Sequence, residues 1–293
     1  MDVPTEPAET ALAGLIDRLH QRGRVRVWSL VITLFGDAIV PRGGEAPLSS
    51  LQNVMAHLGI EAGALRTAMS RLASDGWVVR ERRGRNSFFS LDRHGQHAFD
   101  QATRRIYAAG PPDWDGSWTV AIAPPGSNGR ARDDLLKDQG FLRIADSVHL
   151  LPRTLKQEDS EPPLSDMLVI HGTSAEHPEM VRTLWLSDEI ASAYRELIAE
   201  YTPLARSLAL RPLPTPIDAM AARTLLIHDW RRIVLRDPGL PMALLPQDWP
   251  GEEARLLVRD LYQLLLPQSE SWLDQANLPP LVDAGTFHRR FGD

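Results

Sequence analysis

The sequence predicts an α+β protein with an N-terminal winged helix-turn-helix, a central βαββαβ module and an all-α C-terminal domain. Apolar residues recur at helical spacing through residues 22–74, and the period changes to that of strands between Trp77 and Leu91. The breaker Gly110-Pro111-Pro112 follows, then a series of short strand-like runs, and the pattern is helical again from Ser187 onward. These changes of period place the three structural parts in order along the chain.

The same changes of period divide the chain into four predicted segments. Residues 1–21 begin with an acidic, proline-containing stretch that is typical neither of a signal peptide nor of a transit peptide, and we expect a disordered leader. Residues 22–110 are expected to form the winged helix-turn-helix domain. Residues 111–186 are expected to form a ferredoxin-like central domain, and residues 187–293 a helical C-terminal domain.

The order of elements in the first domain is helix, helix, turn, helix, hairpin, helix, which is the order of a winged helix-turn-helix. A hairpin is predicted from two strand-like runs, Trp77–Glu81 and Ser87–Leu91, that flank a glycine-containing turn. Helices are predicted at Arg22–Gly36, at Ser49–Leu58, at Glu61–Ser74 and from Asp92, which can cap the helix, to about Ala108.

The rest of the chain is predicted to contain four strands followed by long helices. In the central domain, strands are predicted at Trp118–Ala123, Phe141–Ile144, Val148–Leu150 and Met167–His171, with helices at Asn128–Gln139 and after Ser174. In the C-terminal domain, amphipathic helices are predicted at Asp188–Ala209, Ile217–Leu235 and Glu252–Leu266.

The third predicted helix has the two faces that a recognition helix needs. Its apolar stripe is formed by Leu65, Ala68, Met69 and Leu72, which can dock on the domain. An arginine can donate two hydrogen bonds to guanine, and hydroxyls can bond base edges or phosphates. The alternative is an ordinary amphipathic helix with a solvated face. The candidate DNA contacts on the opposite, polar face are Arg66, Thr67, Ser70 and Arg71.

The predicted hairpin turn is rich in arginine. Arg82, Arg83 and Arg85 surround Gly84, and like charges packed so closely repel one another unless a polyanion is present. We expect this tip and the following Asn86 to lie along a DNA backbone or minor groove, where arginine is favoured. Arg42, in the loop Pro41-Arg42-Gly43-Gly44, is a further candidate phosphate contact, although it could equally be a loop arginine without a role. The alternative for the whole cluster is a solvated charged surface.

Several short motifs follow one another in a fixed order along the chain. They are Leu34-Phe35-Gly36-Asp37, Leu65–Leu72, Gly84–Leu91, Trp114–Trp118, His228-Asp229-Trp230-Arg231-Arg232, Leu235-Arg236-Asp237-Pro238 and Arg290-Phe291-Gly292. Taken together, these stretches resemble those of the PaaX family of phenylacetate-degradation repressors. The resemblance implies a winged helix, a central ferredoxin-like (Cas2-like) module and a helical C-terminal domain. It also implies a homodimer that binds operator DNA and is released from it by phenylacetyl-CoA.

An acyl-CoA effector would need cationic groups for its phosphates and an aromatic-lined slot for its acyl tip. Outside the DNA-binding domain, one part of the sequence is densest in such residues. The alternative is that these arginines form ion pairs, to Asp229, Asp237 or other acids, that hold helices together. The candidate effector-binding residues are Arg223, His228, Trp230, Arg231, Arg232 and Arg236.

The sequence contains none of the common catalytic motifs that would indicate an enzyme. The chain contains no cysteine, no P-loop, no Rossmann fingerprint and no Gly-x-Ser-x-Gly elbow, so we expect neither catalysis nor a resident cofactor or metal. No apolar run approaches the roughly 20 residues that span a bilayer, and we expect a cytoplasmic protein. The alternatives left open are a regulator that senses another acyl-CoA or acts as an activator, and a metal-dependent nuclease with an accessory DNA-binding domain.

Overall fold

The computed structural model describes residues 6–124, 130–154, 164, 166–174, 184–185 and 187–292. The described residues form a mixed α/β structure with two antiparallel sheets and a helical C-terminal part. Contacts divide the chain into two units. The first contains residues 1–109, 193–235 and 253–293, and the second contains residues 110–192 and 236–252. The N-terminal segment and most of the C-terminal helical segment, for which the sequence predicted separate domains, therefore share one unit.

The N-terminal part of the first unit contains five helices and one small sheet within the described residues. The sheet has the order β1-β3-β2, and both pairings are antiparallel. The helices predicted at Ser49–Leu58 and Glu61–Ser74 and the two strands of the hairpin are present, and each of their ends lies within two residues of the prediction. The elements are α1 (Ala8–Gln21), α2 (Val27–Leu34), β1 (Glu45–Pro47), α3 (Leu48–His57), α4 (Ala62–Ser74), β2 (Val78–Arg83), β3 (Asn86–Leu91) and α5 (Arg93–Ile106). Asp92 caps α5 by accepting a hydrogen bond from the backbone N–H of Arg93.

The predicted disordered leader is wrong for residues 8–21, which form α1. Leu12 and Leu15 of this helix are buried, so the acidic start of the chain leads directly into an amphipathic helix. Arg18, near its end, donates to the backbone carbonyl of Glu200, and Arg22 forms an ion pair with the Glu200 carboxylate. The partners lie about 180 positions away, so no local sequence pattern indicated that this segment would be held in place.

The predicted helix Arg22–Gly36 is shorter than expected and ends in an irregular turn. After α2, residues Phe35–Ile39 form one π-helical turn, and Val40–Arg42 a 3-10 turn. Gly36 is required in this turn because a Cβ there would overlap the ring of Phe99. Single π-turns inside helices are frequent at functional or strained positions. Here the turn places the carboxylate of Asp37 in the core.

The second unit is built on a four-stranded antiparallel sheet of order β5-β6-β4-β7. One face of the sheet packs on α6 through Ala121, Leu136 and Leu151, and Trp118 on the other face packs against Leu240 and Leu244. All four predicted strands are present, whereas most of the predicted loop 155–164 and of the helix expected after Ser174 lie outside the described residues. The elements are β4 (Ser117–Ile122), α6 (Arg130–Asp138), β5 (Leu142–Ala145), β6 (Val148–Pro152) and β7 (Leu168–Thr173).

The C-terminal part of the chain is helical, as predicted. One helix start is fixed by a capping box, in which the Thr215 side chain accepts from the backbone N–H of Asp218 while the Asp218 carboxylate accepts from that of Thr215. The helices are α7 (Asp188–Leu208), α8 (Pro216–Val234), α9 (Gly251–Gln275) and the short α10 (Ala284–His288), which the sequence did not predict.

A buried carboxylate lies at the centre of the first unit. Arg223 Nε donates to Asp37 Oδ2 at 2.6 Å, and Arg290 Nη1 donates to Asp37 Oδ1 at 3.0 Å. The hydroxyls of Tyr107 and Tyr262 also donate to Oδ1, at 2.6 Å and 2.9 Å. Burial by itself would raise the pKa of Asp37, but the two guanidinium groups and the tyrosine hydrogen bond outweigh it and hold that pKa below its usual value.

The C-terminal segment closes over this cluster. The ring of Phe291 is buried against Tyr107 and Tyr262, and its backbone N–H donates to the carbonyl of Tyr107 at 3.0 Å. Gly292 has a φ of +77° and lies so close to Ala109 that a Cβ there would overlap it. The last residues therefore form part of the same core as the end of α5.

We expect Asp37→Asn to destabilise the protein by about 3–5 kcal/mol, because it removes the carboxylate that pairs with the buried guanidinium groups of Arg223 and Arg290. Urea unfolding followed by tryptophan fluorescence measures this as a lower midpoint. The control is Asp260→Asn, which removes an exposed ion pair with Arg259 and should change the stability by less than about 0.5 kcal/mol. A variant as stable as the parent would show that Asp37 does not hold this core together.

The lowered pKa of Asp37 also gives the stability a defined pH dependence. The carboxylate stabilises the folded state fully above the pKa that aspartate has in an unfolded chain, about 3.9, and this contribution is lost as the pH falls through the lower folded value. Urea midpoints measured across this acid range should therefore fall less steeply for Asp37→Asn than for the parent. Parallel curves would contradict the assignment.

Candidate nucleic-acid interface

The helix α4 separates an apolar face from a polar one, as the sequence predicted. Leu65, Ala68, Met69 and Leu72 are buried, and the helix packs against α2, α3 and β2. The polar face is open to solvent, so its donors can meet a ligand without a change in the fold. The exposed residues of this face are Arg66, Thr67, Ser70 and Arg71.

The polar groups of α4 are only loosely held within the protein. The Thr67 hydroxyl donates to the backbone carbonyl of Gly63 at 3.0 Å, and Arg71 Nε lies 3.4 Å from Asp75 Oδ2. Arg66 forms no ion pair with any residue that the structure describes. Exposed pairs of this kind contribute little to stability, so these donors can be exchanged for contacts to another molecule.

The corner between α3 and α4, residues 57–59, is held from two sides. His57 Nε2 lies 2.6 Å from Asp218 Oδ1, at the start of α8. His20 Nε2, on α1, lies 2.9 Å from the carbonyl oxygen of Leu58. Gly59 has a φ of +72°, and a Cβ there would lie 2.8 Å from His20 Nε2. The direction in which α4 leaves this corner is therefore fixed by α1 and α8 as well as by its own packing.

The arginines at the hairpin tip are not equivalent. Arg82 and Arg85 are exposed and form no ion pair with the residues that the structure describes. Arg83 instead donates to both oxygens of Glu45, at 2.7 Å each, and to Glu81 at 2.6 Å. These hydrogen bonds raise the pKa of Arg83 and lower that of Glu81. The predicted uncompensated crowding of three arginines is therefore wrong for Arg83, whose charge is neutralised by Glu81 of the hairpin and Glu45 of β1.

Arg80 is a candidate residue that the sequence analysis missed. It is exposed, and its Nη2 donates to the Ser87 hydroxyl at 2.8 Å. Because side chains alternate along a strand, Arg80 and Arg82 share one face of β2, and the alternation was visible in the sequence. Asn86 is exposed at the start of β3, opposite Arg83 in the strand register.

Arg42 is not available for a phosphate contact, and that prediction is corrected. Its side chain is only 4% exposed, and its guanidinium donates to Glu270 at 2.7 Å and to Asp274 at 2.8 Å. A third hydrogen bond, at 2.9 Å, reaches the carbonyl oxygen of Pro279. Arg42 thus attaches the glycine-rich loop to α9.

Three of the candidate effector residues belong to the core, so their predicted role as ligand contacts is corrected. Arg223 is fully buried in the cluster around Asp37 and is also paired with Glu270. Trp230 is buried, and its Nε1 donates to the carbonyl of Ile106 at 2.8 Å. His228 Nδ1 lies 3.2 Å from the Thr33 hydroxyl, and burial together with the nearby Arg231 and Arg232 lowers the pKa of His228 to about 3. The imidazole is neutral at physiological pH.

The remaining three candidates do not form one group. Arg236 belongs to the second unit, where it pairs with Glu189 at 3.0 Å in an exposed position. Arg232 is exposed near the end of α8. Arg231, next to it, is partly buried, and its Nη2 donates to the backbone oxygen and the hydroxyl of Ser29 at 3.1 Å and 2.6 Å. Of the six predicted residues, only Arg231 and Arg232 combine access to solvent with a place on α8.

Among the described residues, no group of three or more His, Asp or Glu side chains is placed to hold a metal ion. None of the described helices combines the length and the apolar character that crossing a membrane requires.

Comparison with known proteins gives a consistent result. Residues 26–95 match the family model described as PaaX-like protein, and residues 185–275 match that of the PaaX-like protein C-terminal domain. The chain is 34% identical over 284 residues to the transcriptional repressor PaaX of Escherichia coli (strain K12), covering 90% of this chain and 89% of that protein. A solved structure, the uncharacterized protein Rv0674 from Mycobacterium tuberculosis, matches with a TM-score of 0.53 at 18% identity, over 93% of this chain and 99% of that one. This last likeness concerns the fold alone.

We expect Arg82→Ala combined with Arg85→Ala to weaken binding to duplex DNA of any sequence. The two exposed cations should release counterions on binding, so their loss should reduce the slope of log K against log salt by up to about 1.8. Fluorescence anisotropy with a random-sequence duplex at several salt concentrations measures this slope.

The matched control for that pair is Arg83→Gln combined with Glu81→Gln, which removes one cation and one acid that already bind each other. The salt slope of this control should equal that of the parent. A parental slope in the Arg82/Arg85 variant, or an equal loss in both variants, would show that the distinction between the arginines is wrong.

Proposed function

The chain belongs to the PaaX-like protein family, and from this premise we propose that it is a transcriptional repressor that binds operator DNA. The observation that carries the proposal is the exposed polar face of α4, with Arg66 and Arg71, next to an arginine-tipped hairpin. Both features lie within residues 26–95, the stretch that matches the first family model. A DNA-binding repressor would act in the cytoplasm, where its operator lies.

We propose that residues 22–110 act as a winged helix-turn-helix. The succession α3, α4 and then the hairpin β2-β3 supports this assignment, with α4 as the helix that enters the major groove. Arg66 and Arg71 would then read base edges, with Thr67 and Ser70 bonding bases or phosphates. The hairpin would supply backbone contacts through Arg82 and Arg85, with Arg80 and Asn86 as further candidates.

We propose that residues 111–186 form a ferredoxin-like module. In a βαββαβ chain whose four strands are counted in sequence order, the observed arrangement β5-β6-β4-β7 is the order 2-3-1-4, with every neighbouring pair antiparallel. This order and the position of α6 between β4 and β5 support the assignment.

We propose a homodimer on a two-fold symmetric operator. One recognition helix contacts few base pairs, and few base pairs cannot distinguish one operator from the rest of a genome. Two copies related by a two-fold axis double the contacts and place two copies of α4 in successive major grooves.

We propose that the regulated genes belong to phenylacetate catabolism and that an aryl-CoA thioester, phenylacetyl-CoA in the first instance, releases the protein from its operator. This effector is what the family resemblance implies. A regulator that senses another acyl-CoA, or that activates transcription, would have the same DNA-binding surface. Gel-shift experiments on the protein's own upstream region, with a panel of aryl-CoA and acyl-CoA thioesters, identify which thioester releases the protein from DNA.

Arg66→Ala and Arg71→Ala should each weaken operator binding by about 1–3 kcal/mol, because each removes a donor to a base edge. Both side chains are exposed, so the thermal stability of the variants should match that of the parent. The control is Ser74→Ala, an exposed substitution at the end of the same helix. Unchanged operator affinity in both arginine variants would exclude α4 from base readout.

Footprinting on the operator should reveal two inverted half-sites on one face of the duplex, with centres about one helical turn, or a multiple of it, apart. Analytical ultracentrifugation at the same protein concentration should find a dimer. One protected half-site together with a monomer in solution would contradict the symmetric dimer.

Phenylacetyl-CoA should dissociate the operator complex, whereas free phenylacetate should not. The reason is that the CoA part carries phosphates to which arginine side chains can bind. The two ligands are linked, so operator DNA should weaken thioester binding by the same factor by which the thioester weakens DNA binding, typically about 5–150-fold. Calorimetry of the thioester with free and operator-bound protein measures both sides of this linkage. Equal thioester affinity in the two states would reject it as the effector.

A further inference from the structure

Arg231 is a partly buried guanidinium that pairs with no carboxylate among the residues that the structure describes. Its Nη2 bonds to Ser29, whereas its buried Nε and its Nη1 have no hydrogen-bond partner within that part of the chain. Burial, and secondarily the charge of Arg232, lower the pKa of Arg231 to about 10. The oxygens of Ser29 and the C-terminal end of α8 supply only partial negative charges.

Three other buried arginines of the first unit are paired with carboxylates. Arg223 and Arg290 bind Asp37, and Arg42 binds Glu270 and Asp274. Each of these three thus has a full negative charge within hydrogen-bond distance. A guanidinium taken out of water without such a charge is strongly unfavourable, and a position of this kind in a native structure calls for a partner.

We propose that Arg231 is the receptor for an anionic oxygen group, a phosphate of a bound ligand, at the end of α8. A phosphate would supply the missing full charge and accept from the donors that Arg231 leaves open. Arg232, exposed on the next position, adds positive potential to the approach. His228 is neutral and contributes no charge of its own.

The position of Arg231 also links such a ligand to DNA binding. Its contact is to Ser29, in the first turn of α2, and α2 packs against both α8 and α4. An anion that draws the guanidinium away from Ser29 changes what holds the start of α2. Since α2 supports α4, the ligand then affects the helix proposed to read DNA. The choice of a CoA thioester as the natural ligand rests on the proposed function, whereas the anion site rests on the contacts of Arg231.

The test uses the full chain and three variants: Arg231→Met, Arg231→Lys, which keeps the charge, and Arg195→Met, which removes an exposed arginine of α7. Thermal unfolding is measured with and without pyrophosphate at constant ionic strength. Pyrophosphate should raise the unfolding temperature of the parent and of Arg195→Met by about 2–4 °C, that of Arg231→Lys by less, and that of Arg231→Met not at all. Without the anion, Arg231→Met should unfold at the parental temperature or above it, because an uncompensated cation has been removed.

A second arm titrates phenylacetyl-CoA, and separately phenylacetate, into the same proteins by calorimetry. The thioester should bind Arg231→Met at least about tenfold more weakly than the parent. If the thioester binds the parent and Arg231→Met equally tightly, the proposed anion site is wrong, and the proposed repressor function is unaffected. Pyrophosphate stabilisation that depends on Arg231, without any binding of the thioester, would support the site and reject the proposed effector. A lower unfolding temperature of Arg231→Met in the absence of anion, with its pyrophosphate response retained, would show that the residue is structural.

Discussion

The carboxylate of Asp37 is the interaction on which the first unit depends. It neutralises Arg223 from α8 and Arg290 from the C-terminal segment, and it accepts hydrogen bonds from Tyr107 and Tyr262. Buried guanidinium groups need acidic partners, which are Asp37 for both arginines and also Glu270 for Arg223, so the parts of the chain that carry them meet around Asp37. The N-terminal and C-terminal segments therefore fold as one unit, although more than 80 residues of another unit separate them in the sequence.

Two groups of arginines in this protein differ in their partners. Those at the centre of the first unit are neutralised by nearby carboxylates and hold helices together, as Arg42 does through Glu270. Those on α4 and at the hairpin tip are exposed, and Arg66, Arg82 and Arg85 form no ion pair within the described part of the chain. Arg83 is an instructive exception, because Glu45 and Glu81 neutralise it on an exposed hairpin. Proximity in sequence to a basic cluster is therefore a poor guide to which cation can bind a polyanion.

The parts of the fold that could be predicted from the sequence are those fixed by local periodicity. The helix α4, the hairpin and the four strands of the second unit follow from the spacing of apolar residues and from glycine-containing turns. The exposed face of α4 was predictable for the same reason. The roles of Arg42 and Arg223 were not, because their acids lie 228 and 186 positions away, and no spacing rule indicates such a pair. The fold of residues 8–21 depends likewise on distant partners.

The contact between Phe291 and Tyr107 determines when, during synthesis, the core of the first unit can be completed. Residues of the proposed DNA-binding part leave the ribosome first, but their core is completed by a ring and a guanidinium from residues 290 and 291. Until that segment has been translated, Asp37 lacks one of its two cations and Tyr107 lacks its aromatic neighbour. Nascent chains would therefore hold an incomplete DNA-binding part during most of their synthesis. The core of this part can therefore be completed only when residues 290 and 291 are available to it.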